Sequence, residues 1–177
     1  MAVDHVKSTF ITNLDAAPVV PNTAGEGAPA PMITVEGYAT VIASGSAGAT
    51  YQLVRVPSNC KMKSLLFESA AQGAGAFSLG LYYATDGEGG KPTALLLANS
   101  INATLFASQI NCASAVVVTE EINQAGNFPI SKRVQPLWQA AGLASDPGGY
   151  FDIVATVDTT AVTTGTGVIG ARAVYTN

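Results

Sequence analysis

The chain has 177 residues, enough for one domain with a sizeable core, and it is 48% hydrophobic but only 11% charged. A typical soluble domain carries about 25% charged residues, so this surface must be built from Ala, Gly, Ser, Thr and Asn, as suits burial against other subunits or a neutral secreted domain. The net charge of −4, with the eight Lys and Arg scattered and not striped, argues against a nucleic-acid partner.

The opening "MAVDHVKSTFITNLDAAP" has no apolar core of a signal peptide, and no run approaches the roughly 18 apolar residues of a membrane span. Residues 1–34 are then broken by Pro18, Pro21, Pro29 and Pro31 with Gly25 and Gly27, and no hydrophobic periodicity survives among them. Two readings are open: a disordered terminus, or an extended arm that orders only against a partner. An extended segment of this length reaches up to about 110 Å, against a radius of gyration near 15 Å for such a domain. The division expected is an arm over 1–34 and a sandwich domain over 35–177, with Val3, Val6, Phe10, Ile11 and Leu14 of the arm as candidate inter-subunit contacts.

From Val35 the chain reads as short strands separated by turns. "VEGYATVIA" ends at "SGSAG", and "TYQLVRV" is β-branched and aromatic until "PSN" stops it. "KMKSLLFES" precedes "AFSLGLYYA", in which Phe77, Leu79, Leu81 and Tyr83 share a face at period two. After the glycine-rich turn "TDGEGGKP" come weaker strand candidates at Leu95 to Ala98, Ala103 to Ala107 and Ala115 to Glu120. "YFDIVATV" sets Phe151, Ile153, Ala155 and Val157 against Tyr150, Asp152, Val154 and Thr156, and "GVIGARAVY" puts Ile169, Ala171, Ala173 and Tyr175 on one side. This spacing predicts an all-β fold: an antiparallel β-sandwich of about eight strands, jelly-roll-like in its first-choice topology.

One short helix is predicted, in "PLWQAAGLASDPGG". Pro136 suits a first helical position, Leu137, Ala140 and Ala141 share a face, and Gly142 stands where a left-handed residue ends a helix. Leu143 then supplies the apolar contact after the cap, and Trp138 is expected to plug one end of the sandwich.

No arrangement for catalysis emerges. "TDGEGGKPT" lacks the first glycine of a phosphate loop and has Pro92 where a magnesium-binding hydroxyl belongs. Ser58 and Lys61 match S-x-x-K, but at a strand start and not on a helix, without companion motifs. "SGSAG" lacks the first glycine of a nucleophile elbow, and the single histidine, His5, excludes multi-histidine metal sites and disfavours a serine triad. Glu120 and Glu121, adjacent in a strand, point to opposite faces. Asp146, Asp152 and Asp158 lack a calcium-loop pattern and read as solvated turn acids, and "NAT" at Asn102 is a sequon relevant only in a secretory compartment. Cys60 and Cys112 lack metal-ligand spacing and are read as reduced, buried thiols or as a structural disulfide. The expectation is a protein that is not an enzyme, with no cofactor and no metal.

Three segments, "FITNLDAAP", "VPSNCKMKSLLFESAAQGAGAFSLGLYYATDGEGG" and "PLWQAAGLASDPGGYFDIVATV" running into "GTGVIGARAVY", resemble the small head-decoration, or cement, proteins of tailed bacteriophages. The resemblance implies a jelly-roll subunit, commonly a homotrimer, made in the host cytoplasm and seated on the outside of an icosahedral head. There it would bridge major capsid protein subunits and stabilise the shell, with no membrane or nucleic-acid partner. The alternative is a carbohydrate-binding or host-adhesion module on a phage head or tail fibre, with Tyr82, Tyr83 and Tyr150 as candidate sugar-stacking residues.

Overall fold

The structure, a computed structural model, describes residues 31–41, 47–73, 75–84, 97–120, 127–158 and 167–177. Among the described residues there are eight strands: β1 (Ile33–Thr40), β2 (Thr50–Pro57), β3 (Lys61–Ser69), β4 (Ala76–Tyr83), β5 (Ser100–Asn111), β6 (Val116–Glu120), β7 (Tyr150–Val157) and β8 (Val168–Thr176). They form two four-stranded antiparallel sheets, in the orders β1-β8-β3-β6 and β2-β7-β4-β5.

The pairs β1 with β8, β2 with β7, β3 with β6 and β4 with β5 are the rungs of one long hairpin. Rolling that ribbon on itself adds the β3–β8 and β4–β7 ladders and yields the jelly roll expected from the sequence. Period-two alternation decides which side chains meet between the sheets. Phe77, Leu79 and Leu81 of β4 and Phe151, Ile153, Ala155 and Val157 of β7 face Met62, Leu65 and Phe67 of β3 and Ile169, Ala171 and Ala173 of β8, all in one buried cluster. Phe67 and Phe77 meet across the two sheets with ring centroids 6.4 Å apart, and Tyr51 packs edge-on against Phe77 at 6.1 Å.

The outward side of the two central strands of the second sheet, β7 and β4, is also covered. Tyr82 and Val154 point away from the core yet are fully buried. Part of the cover is β5, whose register against β4 runs from Leu81↔Asn102 to Leu79↔Ala107, so the extra chain bulges over the sheet. The Ala103 backbone lies directly on Gly80, where an added Cβ would come within 2.3 Å of the Ala103 carbonyl. Tyr82 Oη and Thr156 Oγ1 share a buried hydrogen bond of 2.7 Å, and burial pushes the Tyr82 hydroxyl pKa up while that bond pulls it back.

Two helical turns follow β6: α1 (Ile130–Arg133) and α2 (Leu137–Ala140). The predicted helix is α2, displaced by one residue, because Pro136 is its cap with extended ψ and Leu137 is the first helical position. Its first free amides are satisfied by the β2–β3 turn: Leu137 N donates to Cys60 O at 2.8 Å and Trp138 N to Ser58 O at 3.1 Å. At the other end Gly142, at φ 90°, donates to Gln139 O, and Leu143 N donates to Trp138 O, which completes a Schellman cap. Leu137 is buried, and Trp138 and Leu143 pack half-buried against the core, so α2 closes one end of the sandwich as expected.

Three expectations need correction. The described part of the Leu95 to Ala98 candidate, residues 97–98, lies in a 3-10 turn, Leu97–Asn99, that leads straight into β5, since four apolar residues are too few to fix a strand. The Ala103 to Ala107 candidate is the middle of a much longer strand. The single turn α1 was not foreseen.

Candidate interface

The described residues gather no group of three or more His, Cys, Asp or Glu side chains able to hold a metal. Asp146 accepts from Gly148 N in its turn, and Asp158 accepts from Ser78 Oγ at 2.9 Å, so the three aspartates stay apart. Asp152 is not a solvated turn acid. It is fully buried on the outward side of β7, where Arg55 Nε donates to Oδ1 at 2.7 Å, and Arg55 Nη2 at 3.0 Å and Gln52 Nε2 at 2.7 Å donate to Oδ2. Register explains it: Asp152 lies opposite Arg55 on one neighbour and opposite Tyr82 on the other, so the carboxylate is enclosed by its own sheet.

Cys60 and Cys112 are free and buried, which settles the choice between thiols and a disulfide. Burial pushes the Cys60 thiol up to about 12, with a backbone hydrogen bond acting the other way. Its thiolate is therefore suppressed in the fold, and both thiols are expected to resist a charged disulfide reagent at pH 8 until the chain is unfolded. Rapid labelling of the native protein would contradict that burial. Because the folded pKa lies above the unfolded value of 9.0, Cys60 leaves stability undiminished below about pH 9 and lowers it as pH rises from there toward 12.

The sugar-stacking candidates are not assembled into a site. Tyr82 is fully buried and Tyr83 packs edge-on against Phe151 at 6.2 Å, which leaves Tyr150 as the exposed one of the three. The arm candidates Val3, Val6, Phe10, Ile11 and Leu14 lie outside the described residues.

Among the described residues, two stretches of exposed surface bear on function. The first is the α2 end. Ile33 pairs with Tyr175, Lys61 with Thr176 and Pro57 with Tyr150, so the start of β1 lies at the end that α2 closes. Met32 precedes β1 at this end, and both Met32 and Tyr150 are exposed. The second is the outward face of the β1-β8-β3-β6 sheet toward its opposite end. There Tyr38 and Glu68 flank Gly170 in one row across three strands, and Glu36, Arg172 and Leu66 form the next. Tyr38 is 78% exposed, and Glu36 forms an ion pair with Arg172. Because Gly170 has no side chain, these rows enclose an open trough of about 350 Å³, and a second hollow continues past Tyr38 to Ala115, Val116 and Val168. Tyr38 was not singled out in the sequence, although its alternation with Glu36 and Thr40 in "VEGYAT" marks it as outward-facing.

No family model matches the chain, and no curated protein matches it in sequence. Solved structures do. A chain of the cyanophage Pam1 capsid asymmetric unit aligns over 92% of this chain and 96% of its own, at 13% identity and a TM-score of 0.52. A chain of the capsid of Ralstonia phage GP4 aligns over 89% of this chain and 88% of its own, at 13% identity and a TM-score of 0.60. What this chain has in common with those two phage capsid chains is its fold, a jelly-roll-like β-sandwich.

Proposed function

We propose that this chain is a structural virion protein that decorates the outer surface of an icosahedral phage capsid and stabilises it by bridging major capsid protein subunits, acting as a homotrimer. The observation that carries this reading is the complete jelly roll, aligned nearly end to end with chains of two phage capsids. The low charge density supports it, because a surface of small neutral side chains costs little to desolvate against a partner. So does the exposure of Met32 and Tyr150 at the α2 end, where β1 begins, which offers apolar surface for docking.

The mechanism is added interface. Apolar area buried on capsid subunits contributes roughly 25 cal/mol per Å² before association costs, and a trimer multiplies each contact by linkage. Replacing both Phe10 and Ile11 with Ser removes about 4 kcal/mol of apolar burial per arm. Capsid occupancy, measured by quantitative gel analysis of purified particles, should drop at least tenfold while the thermal melt of the free chain stays unchanged. Unchanged occupancy would remove the arm from the mechanism. Sedimentation of the free protein at one-third of the expected trimer mass would remove the trimer.

A further inference from the structure

We propose that the trough around Tyr38 is a binding site for a neutral carbohydrate, a property beyond capsid decoration. Three observations converge there. Tyr38 is 78% exposed on a sheet face, the most exposed aromatic among the described residues, and so is open to a stacking partner. Sugar rings present C–H faces that lie flat on such a ring, and the phenolic hydroxyl remains available at its edge. Around it stand planar polar groups at fixed strand positions: the Glu36–Arg172 pair and the carboxylate of Glu68, spaced one register row apart. Carboxylates accept from pairs of adjacent hydroxyls and a guanidinium donates to ring and exocyclic oxygens, which is the pattern a polyol displays. Gly170 supplies the depth, since it leaves a trough of about 350 Å³ where any other residue would place a side chain.

The charge of the site selects the class of sugar. Two carboxylates against one guanidinium leave the trough net negative, on a chain whose own charge is −4, so uronic and sialic acids are disfavoured and neutral hexoses are favoured. Its place in the fold makes it independent of docking. Tyr38 is six residues along extended β1 from Met32, a span of about 20 Å, so the ring is removed from the α2 end at which β1 begins. A single open aromatic site binds weakly, with a dissociation constant on the order of 1 mM, and repetition over many copies raises the effective affinity.

The test uses the full chain and an immobilised panel of neutral glucose, galactose, mannose and rhamnose oligosaccharides, with polygalacturonate as the anionic comparison. The wild-type chain should bind at least one neutral glycan saturably and the anionic polymer no better. Tyr38→Ala should weaken that binding about tenfold or more, while Tyr38→Phe, which keeps the ring, should stay within about threefold. Gly170→Val is the second variant. A Cβ there meets only the Gly37 carbonyl at 3.4 Å and Tyr38 Cβ at 3.7 Å, and valine favours strands, so this variant should fold and melt like wild type yet lose binding because the trough is filled. Absence of saturable glycan binding by the wild-type chain would overturn the proposal, as would full binding by folded Gly170→Val. Loss of capsid occupancy in Tyr38→Ala would also overturn it, by making this face a protein interface, whereas the arm variant reports on decoration separately.

Discussion

Gly80→Ala is expected to destabilise the protein by about 3 kcal/mol, seen as a shift of roughly 10 °C in the thermal midpoint. The added methyl would stand 2.3 Å from the carbonyl carbon and oxygen of Ala103 and 2.4 Å from its Cα. All three are backbone atoms of a strand hydrogen-bonded to β4, so no side-chain rotation relieves the contact, and β5 must lift from the sheet. Lifting it uncovers Tyr82 and weakens the seat of the Tyr82–Thr156 hydrogen bond. Near-ultraviolet circular dichroism from the tyrosines should change along with the midpoint. A loss below about 1 kcal/mol would mean that β5 relaxes freely and that its bulge is not what seals this face.

Asp152→Ala is expected to cost about 3 kcal/mol, measured by urea denaturation. The carboxylate is fully buried and accepts from both Arg55 and Gln52, whereas the Arg55 side chain is 37% exposed. That asymmetry sets the order of effects. Without Asp152, the guanidinium recovers part of its hydration; without Arg55, a charge with no access to water keeps Gln52 but loses its counter-ion. Arg55→Ala should therefore be at least as damaging as Asp152→Ala, and the double variant should be less damaging than the two single costs added together. Additive costs would show that the pair contributes nothing beyond packing.

Much of the architecture was legible in the sequence because alternation is a strong signal where one face is covered. β4, β7 and β8 could be placed from "AFSLGLYY", "YFDIVATV" and "VIGARAVY", and Gly142 with Leu143 marked the end of α2 from its cap chemistry. Alternation says which residues share a face, however, and not what lies over that face. Hence Val154 reads as outward, Tyr82 as a sugar-stacking candidate and Asp152 as a solvated turn acid, whereas all three are buried, under the β5 bulge or beside Arg55. The α1 turn is too short to show helical periodicity, and Leu97–Asn99 too short to distinguish strand from turn. The Tyr38 site was half visible: "VEGYAT" turns the ring outward, but the trough depends on Gly170 falling beside it, and only the register of β1 on β8 brings them together. The arm residues carry no such internal check, since their contacts are expected on another molecule.

The β1–β8 ladder also constrains how the chain comes to fold. Ile33 pairs with Tyr175 and Thr40 with Val168, so the earliest strand cannot find its neighbour until the latest one has been translated. At ribosomal speeds that delay is on the order of ten seconds. Through most of it β1 and β2 must wait without their ladder partners β8 and β7, and non-local pairing of this kind is slow even once the whole chain is free. The Gly and Pro residues that interrupt its hydrophobic runs suit that wait, because short interrupted runs give a nascent chain few places to stick to its siblings, a protection its sparse charge does not supply.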